Sequence, residues 1–201
     1  MERNFIDGYT EWQTNPEIVA VNKLPQHATL MPYENFDEAK KADRYASTRC
    51  KLLNGKWKFK LYKNYAYRPS DFAQPHYDSH NWDSVIVPGS WQMQGYDQAQ
   101  YCNVRYPWEG SEDICPPNAP TKHNPVGCYL KRIHINEAVL SKRVVLCFEG
   151  VESAFYLYVN GERVGYSEST FNRSEFDISR YLVEGSNVIG VEVYRWCTGS
   201  W

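Results

Sequence analysis

Asn160-Gly161 stands between two runs of alternating apolar and polar residues, and that arrangement constrains this 201-residue chain more than any other feature. Phe155, Leu157 and Val159 share one side of an extended backbone ahead of the pair, and both turn residues tolerate positive φ, so the stretch predicts a hairpin. The pattern extends in both directions through 144–201. Val144, Leu146 and Phe148 share a side upstream. Phe176 and Ile178 point inward from the polar stretch 174–181, and Glu184-Gly185-Ser186-Asn187 reads as a turn. Beyond it Val191, Val193 and Arg195 oppose Glu192, Tyr194 and Trp196. Antiparallel strands of this kind must bury one apolar face, and two packed sheets are the usual solution.

The rest of the chain supplies further strands and long irregular stretches. In KWKFKLY, Trp57, Phe59 and Leu61 alternate with Lys56, Lys58 and Lys60, which predicts an outer strand whose lysines guard its edge. Ser84 to Val87 forms a short strand ended by Pro88-Gly89, after which Trp91 and Met93 lock the turn to the sandwich. Gly127 to Ile135 restores a strand, and 138–143 links it to Val144. Residues 1–48 are polar and broken by Asn15-Pro16, Leu24-Pro25 and Met31-Pro32, so they read as an arm, with one short helix within 34–49. The stretch 109–125 is too rich in Pro and Asn for a regular element, and His123 there reads as loop packing.

Composition narrows the function classes. A net charge of −2 lacks the concentrated basic surface that nucleic acid requires. No run approaches the roughly 20 apolar residues of a membrane span, and the amino end has no apolar signal core, so the expected setting is cytoplasmic, away from membranes. Six dispersed cysteines are therefore expected as free thiols. No GxGxxG, P-loop, HExxH or GxSxG motif is present. Glu149, Glu152, Glu162, Glu168, Glu175 and Asp177 all fall in the strand-rich half, where surface alternation and turns explain them more simply than the paired carboxylates of glycoside hydrolysis. Asn103 has an amide that donates and accepts at once and so suits sugar hydroxyls, although a loop asparagine more commonly closes its own turn.

FEGVESAFYLYVNGERVGYSESTFNRSEFDIS, the distal VEVYRW, and the upstream VPGSWQMQGYD and YCNVRYP together resemble the amino-terminal sugar-binding domain of the bacterial beta-galactosidases of glycoside hydrolase family 2. The resemblance begins near Trp12. It implies an all-β, jelly-roll-like antiparallel β-sandwich, with 1–50 as arm and linker and 51–201 as the sugar-binding domain. An immunoglobulin-like domain and a catalytic barrel with two glutamates are then expected beyond this chain, which would itself turn over nothing. The arm is expected to help subunits associate into a homo-oligomer. Asn103 matches an asparagine that reaches the galactose pocket, and Thr198, in RWCTG, stands where similar enzymes have an aspartate that touches sugar and sodium. Glu11 and Asn15 match positions near a structural magnesium. Mg2+ and Na+ are thus expected of a whole enzyme acting on beta-galactosides, with no cofactor assigned to the domain alone. An independent carbohydrate-binding module and a purely structural domain are the competing readings.

Overall fold

The Asn160-Gly161 pair turns the chain with positive φ at both residues, 51° and 85°, and joins two paired strands. The computed structural model describes residues 11–101 and 103–201. Its strands in chain order are β1 (Ala20–Val21), β2 (Gly55–Tyr62), β3 (Asp83–Val87), β4 (Val126–Ile135), β5 (Val145–Phe148), β6 (Ala154–Val159), β7 (Glu162–Ser167), β8 (Ser174–Asp177) and β9 (Gly185–Tyr194). Three short helices, α1 (Glu11–Thr14), α2 (Phe36–Lys40) and α3 (Glu137–Leu140), punctuate them. Seven strands form one sheet in the order β1-β7-β6-β9-β4-β2-β3, and β5 pairs with β8 in a second. All strand pairs are antiparallel.

The larger sheet is buried on both faces. From β6, Phe155, Leu157 and Val159 enter one core, where Leu146, Phe148, Phe176 and Ile178 arrive from the β5–β8 side. Phe148 and Phe176 pack against Phe155 with centroid separations of 4.9 and 5.9 Å, tilted and edge-on, as aromatic quadrupoles prefer. Ala154, Tyr156 and Tyr158 face the other way into a second core. There the cover comes from irregular chain: Trp12 of α1, Phe72 and Trp82 ahead of β3, and Trp108 and Ala119 ahead of β4. Trp12 stacks on Tyr194 at 4.5 Å, which lays the start of the described chain directly over β9.

Three expectations change. β2 is an inner strand, paired with β3 on one side and β4 on the other, because the five-residue β3 takes up its outer edge. Its lysines accordingly do more than guard an edge, and Lys58 Nζ donates to the Trp82 carbonyl at 2.8 Å. The helix expected within 34–49 shrinks to five residues, capped by Asn35, whose side chain accepts from the Glu38 amide; none of its residues is buried, so nothing prolongs it. Met93 is exposed, and the turn is locked by the buried Trp91 ring and by the Gln94 side chain, which bonds the Ile86 amide and carbonyl. The Trp91 ring lies so close over β4 that a Cβ at Gly127 would stand 2.5 Å from it.

Candidate functional site

Asn103 sits in a long loop leading from the turn after β3 toward β4, and the loop is held by contacts to the end of β9. Arg195 reaches back to Asp97 at 2.6 Å and to the Gln100 side-chain oxygen at 3.1 Å, and Gln100 donates onward to the Pro107 carbonyl at 2.6 Å. Tyr106 stacks on Trp201 at 4.5 Å, and Trp201 tilts against Trp108 at 4.9 Å. The carboxylate of Glu112 organises the return, accepting from the amides of Thr121, Lys122 and His123. These ties leave an open groove of about 460 Å³ lined in part by Asp97, Gln98, Gln100, Trp108, Arg195 and Trp196. Asn103 is exposed beside this framework, where its amide donates to the Tyr101 hydroxyl at 3.1 Å.

Thr198 lies in different surroundings. It is buried in a single 3-10 turn after β9, and its hydroxyl donates to both oxygens of Glu168 at 3.3 Å. Tyr166 donates to the same carboxylate at 2.5 Å. Burial raises the Glu168 pKa, against the pull of the Tyr166 and Thr198 hydroxyls, and burial likewise pushes the Tyr166 phenol well above its ordinary value. The Tyr166 ring packs on Tyr156 at 4.7 Å, and the Tyr156 hydroxyl donates to Glu11 at 2.5 Å. Two carboxylates and two phenols thus run through the second core from α1 to the turn at Thr198.

Of the metal candidates, Glu11 is fully buried, and among the described residues its second carboxylate oxygen has no hydrogen-bond partner. Such an orphaned anionic oxygen is what a hard cation seeks. Asn15 is half-buried, and its side-chain oxygen accepts from the Glu17 amide at 3.1 Å, which occupies one of its lone pairs in a local turn. No group of three His, Cys, Asp or Glu placed for a metal occurs among the described residues. The feature at these two positions that would suit a cation is the unpartnered Glu11 oxygen.

The six carboxylates weighed from sequence are partly engaged elsewhere: Glu149 and Glu175 both bind Arg173, and Asp177 binds Arg143. Sequence reasoning missed Glu192. Its side chain is fully buried, accepting from Arg68 at 2.6 Å and from Tyr158 at 3.1 Å, with Tyr194 also bonded to it. The thiols of Cys50, Cys115, Cys128, Cys147 and Cys197 are free, while the sixth, Cys102, lies outside the described residues. Among the described residues no helix is long and apolar enough to cross a membrane.

Fold and site together define an antiparallel β-sandwich domain that carries a polar, aromatic-lined groove on its loops. Residues 50–201 match the family model described as glycosyl hydrolases family 2, sugar binding domain, and the chain belongs to that family. It is 49% identical to a beta-galactosidase of Priestia megaterium over 97% of this chain, and 43% identical to one of Clostridium acetobutylicum over 95%. The chain spans 19% and 21% of those two proteins, about a fifth of each. Among solved structures it resembles the beta-glucuronidase of Bifidobacterium dentium, with a TM-score of 0.51 and 20% identity over 71% of this chain and 19% of that one. At that identity the likeness speaks for the fold alone.

Proposed function

We propose that this chain is the sugar-binding domain of a beta-galactosidase, contributing a wall of the galactose pocket to an enzyme whose catalytic glutamates lie elsewhere. The observation that carries this reading is the 49% identity to a beta-galactosidase along 97% of the chain. Residues 51–201 form the sugar-binding unit in this reading, with jelly-roll-like winding, and 1–50 form the arm and linker. Asn103 supports the reading by its exposed position in the loop whose neighbouring residues line the groove, where its amide can leave Tyr101 for a sugar hydroxyl. Thr198 lacks the charge of the aspartate in similar enzymes, yet its hydroxyl rests on the Glu168 carboxylate. The intact enzyme is read as a cytoplasmic homo-oligomer. Whole protein assayed on nitrophenyl β-galactoside and β-glucuronide should turn over the galactoside, and the isolated 201 residues should turn over neither. A preference for the glucuronide, or activity in the isolated chain freed of whole enzyme, would sink the proposal.

The same reading assigns Mg2+ to the Glu11 carboxylate, with Asn15 at the edge of the site and Na+ associated with the sugar pocket. When bound, magnesium would supply the counter-charge that the orphaned Glu11 oxygen lacks. Glu11 itself holds the Tyr156 hydroxyl and so ties α1 to the larger sheet. Magnesium should raise the melting temperature of the whole protein, and Glu11→Gln should abolish most of that rise. An equal magnesium response in the variant would remove Glu11 from the site.

A further inference from the structure

His27 follows β1 in the arm and has both ring nitrogens against oxygens that only accept. Nδ1 lies 2.7 Å from the Ala28 carbonyl, and Nε2 lies 2.7 Å from a carboxylate oxygen of Glu175 in β8. A neutral imidazole has a single N–H and satisfies one of these acceptors, whereas the imidazolium satisfies both.

The charges around His27 continue the pattern. Glu175 also accepts from Arg173 at 3.2 Å, Arg173 holds Glu149 through two nitrogens at 3.2 and 2.6 Å, and Glu149 accepts from Arg44 at 3.2 Å. His27 and Arg44 belong to the arm, while Glu149, Arg173 and Glu175 belong to the β5–β8 layer. The arm is thus joined to that layer at two points by carboxylates that share Arg173. Between the strand β1 and His27 the contact is also backbone-like: the Leu24 amide donates to the Glu175 carbonyl at 2.8 Å, and the Gln26 side chain donates to the Arg173 carbonyl at 2.8 Å. This stretch runs along the outer side of β8 and covers its edge.

We propose that His27 is a proton-operated latch that docks the arm against β8, closing when the imidazole is doubly protonated and loosening when it is neutral. The Ala28 carbonyl and Glu175 both raise the His27 pKa, with Arg173 opposing. The docked arm therefore holds this proton more tightly than the free arm does. The contribution of His27 to docking is fully present below the ordinary histidine value of about 6.5 and is lost as pH rises through the higher docked value.

Peptide-resolved hydrogen exchange on the whole protein, corrected for the intrinsic pH dependence of exchange, tests the latch between pH 5 and 9. Peptides within 22–32 should open more as pH rises, by no more than tenfold per pH unit because one proton is linked, while peptides of β6 and β9 stay unchanged. His27→Gln should open the arm to the same extent at every pH in this range, and Glu175→Gln should move the rise to lower pH. A wild-type arm with no pH-dependent opening, or a His27→Gln arm that keeps the wild-type slope, overturns the latch. A uniformly more open His27→Gln arm with no slope supports it, since a merely structural histidine would leave no pH-dependent rise to remove.

Discussion

Replacing Glu192 by alanine should destabilise the domain by about 3–5 kcal/mol, the range for breaking one partner out of a buried ion pair. The carboxylate has no exposed surface, and the Arg68 side chain that meets it is only 8% exposed. Burial, the largest single influence, disfavours the guanidinium charge, but Glu192 together with Tyr194 and Tyr158 more than offsets it and holds Arg68 above even its usual high pKa. Removing the carboxylate takes away the counter-charge and also the acceptor for the Tyr158 and Tyr194 hydroxyls. Glu192→Gln keeps an acceptor of similar shape and should lose less. Glu149→Ala offers a contrast: its carboxylate is 66% exposed, and exposed pairs typically contribute about 1 kcal/mol or less. Urea unfolding of the three variants checks the order. A Glu192→Ala loss as small as that of Glu149→Ala would show that the buried pair contributes no more than a surface one.

Asn103→Ala should reduce kcat/KM for galactosides in the whole enzyme by about 1–3 kcal/mol, roughly 5- to 150-fold, the range for losing a buried hydrogen-bond partner. Its stability effect should be far smaller, within about 0.5 kcal/mol, because the residue is exposed and its described side-chain bond goes only to Tyr101. The combination distinguishes a sugar contact from a loop cap. Thr198→Ala should reduce kcat/KM less, since that hydroxyl is turned to Glu168, and the sodium response of the parent should be weaker than an aspartate there would give. Unchanged galactoside kinetics in a folded Asn103→Ala enzyme would defeat the contact, and an undiminished sodium response would separately defeat the inference from Thr198.

Periodicity made the hairpin at Asn160-Gly161 legible, and likewise the inward set Phe155, Leu157 and Val159 and the pair Phe176 and Ile178. It failed where the answer depended on which chain covers a face. Glu192 alternates with Val191 and Val193, and alternation says only that it faces the other side of β9; that the other side is dry follows from Phe72, Trp82 and Trp108, which arrive from loops remote in sequence. The edge assignment of β2 failed for the same reason, since β3 adds to it across a 20-residue excursion. At the candidate site, Asn103 stood out through its motif. The Asp97–Arg195 tie that shapes its loop joins residues far apart in the chain and left no local signal.

The two rims of the larger sheet are both short: two residues of β1 at one end and five of β3 at the other. The smaller sheet is also closed along part of one side, where Leu24 donates to Glu175. A sheet with long, bare rims recruits strands from its neighbours and aggregates, and truncated rims suppress that pairing. Such a domain offers little bare backbone at its rims to which a second sheet could add a strand, so it stays itself when crowded against other β-rich chains.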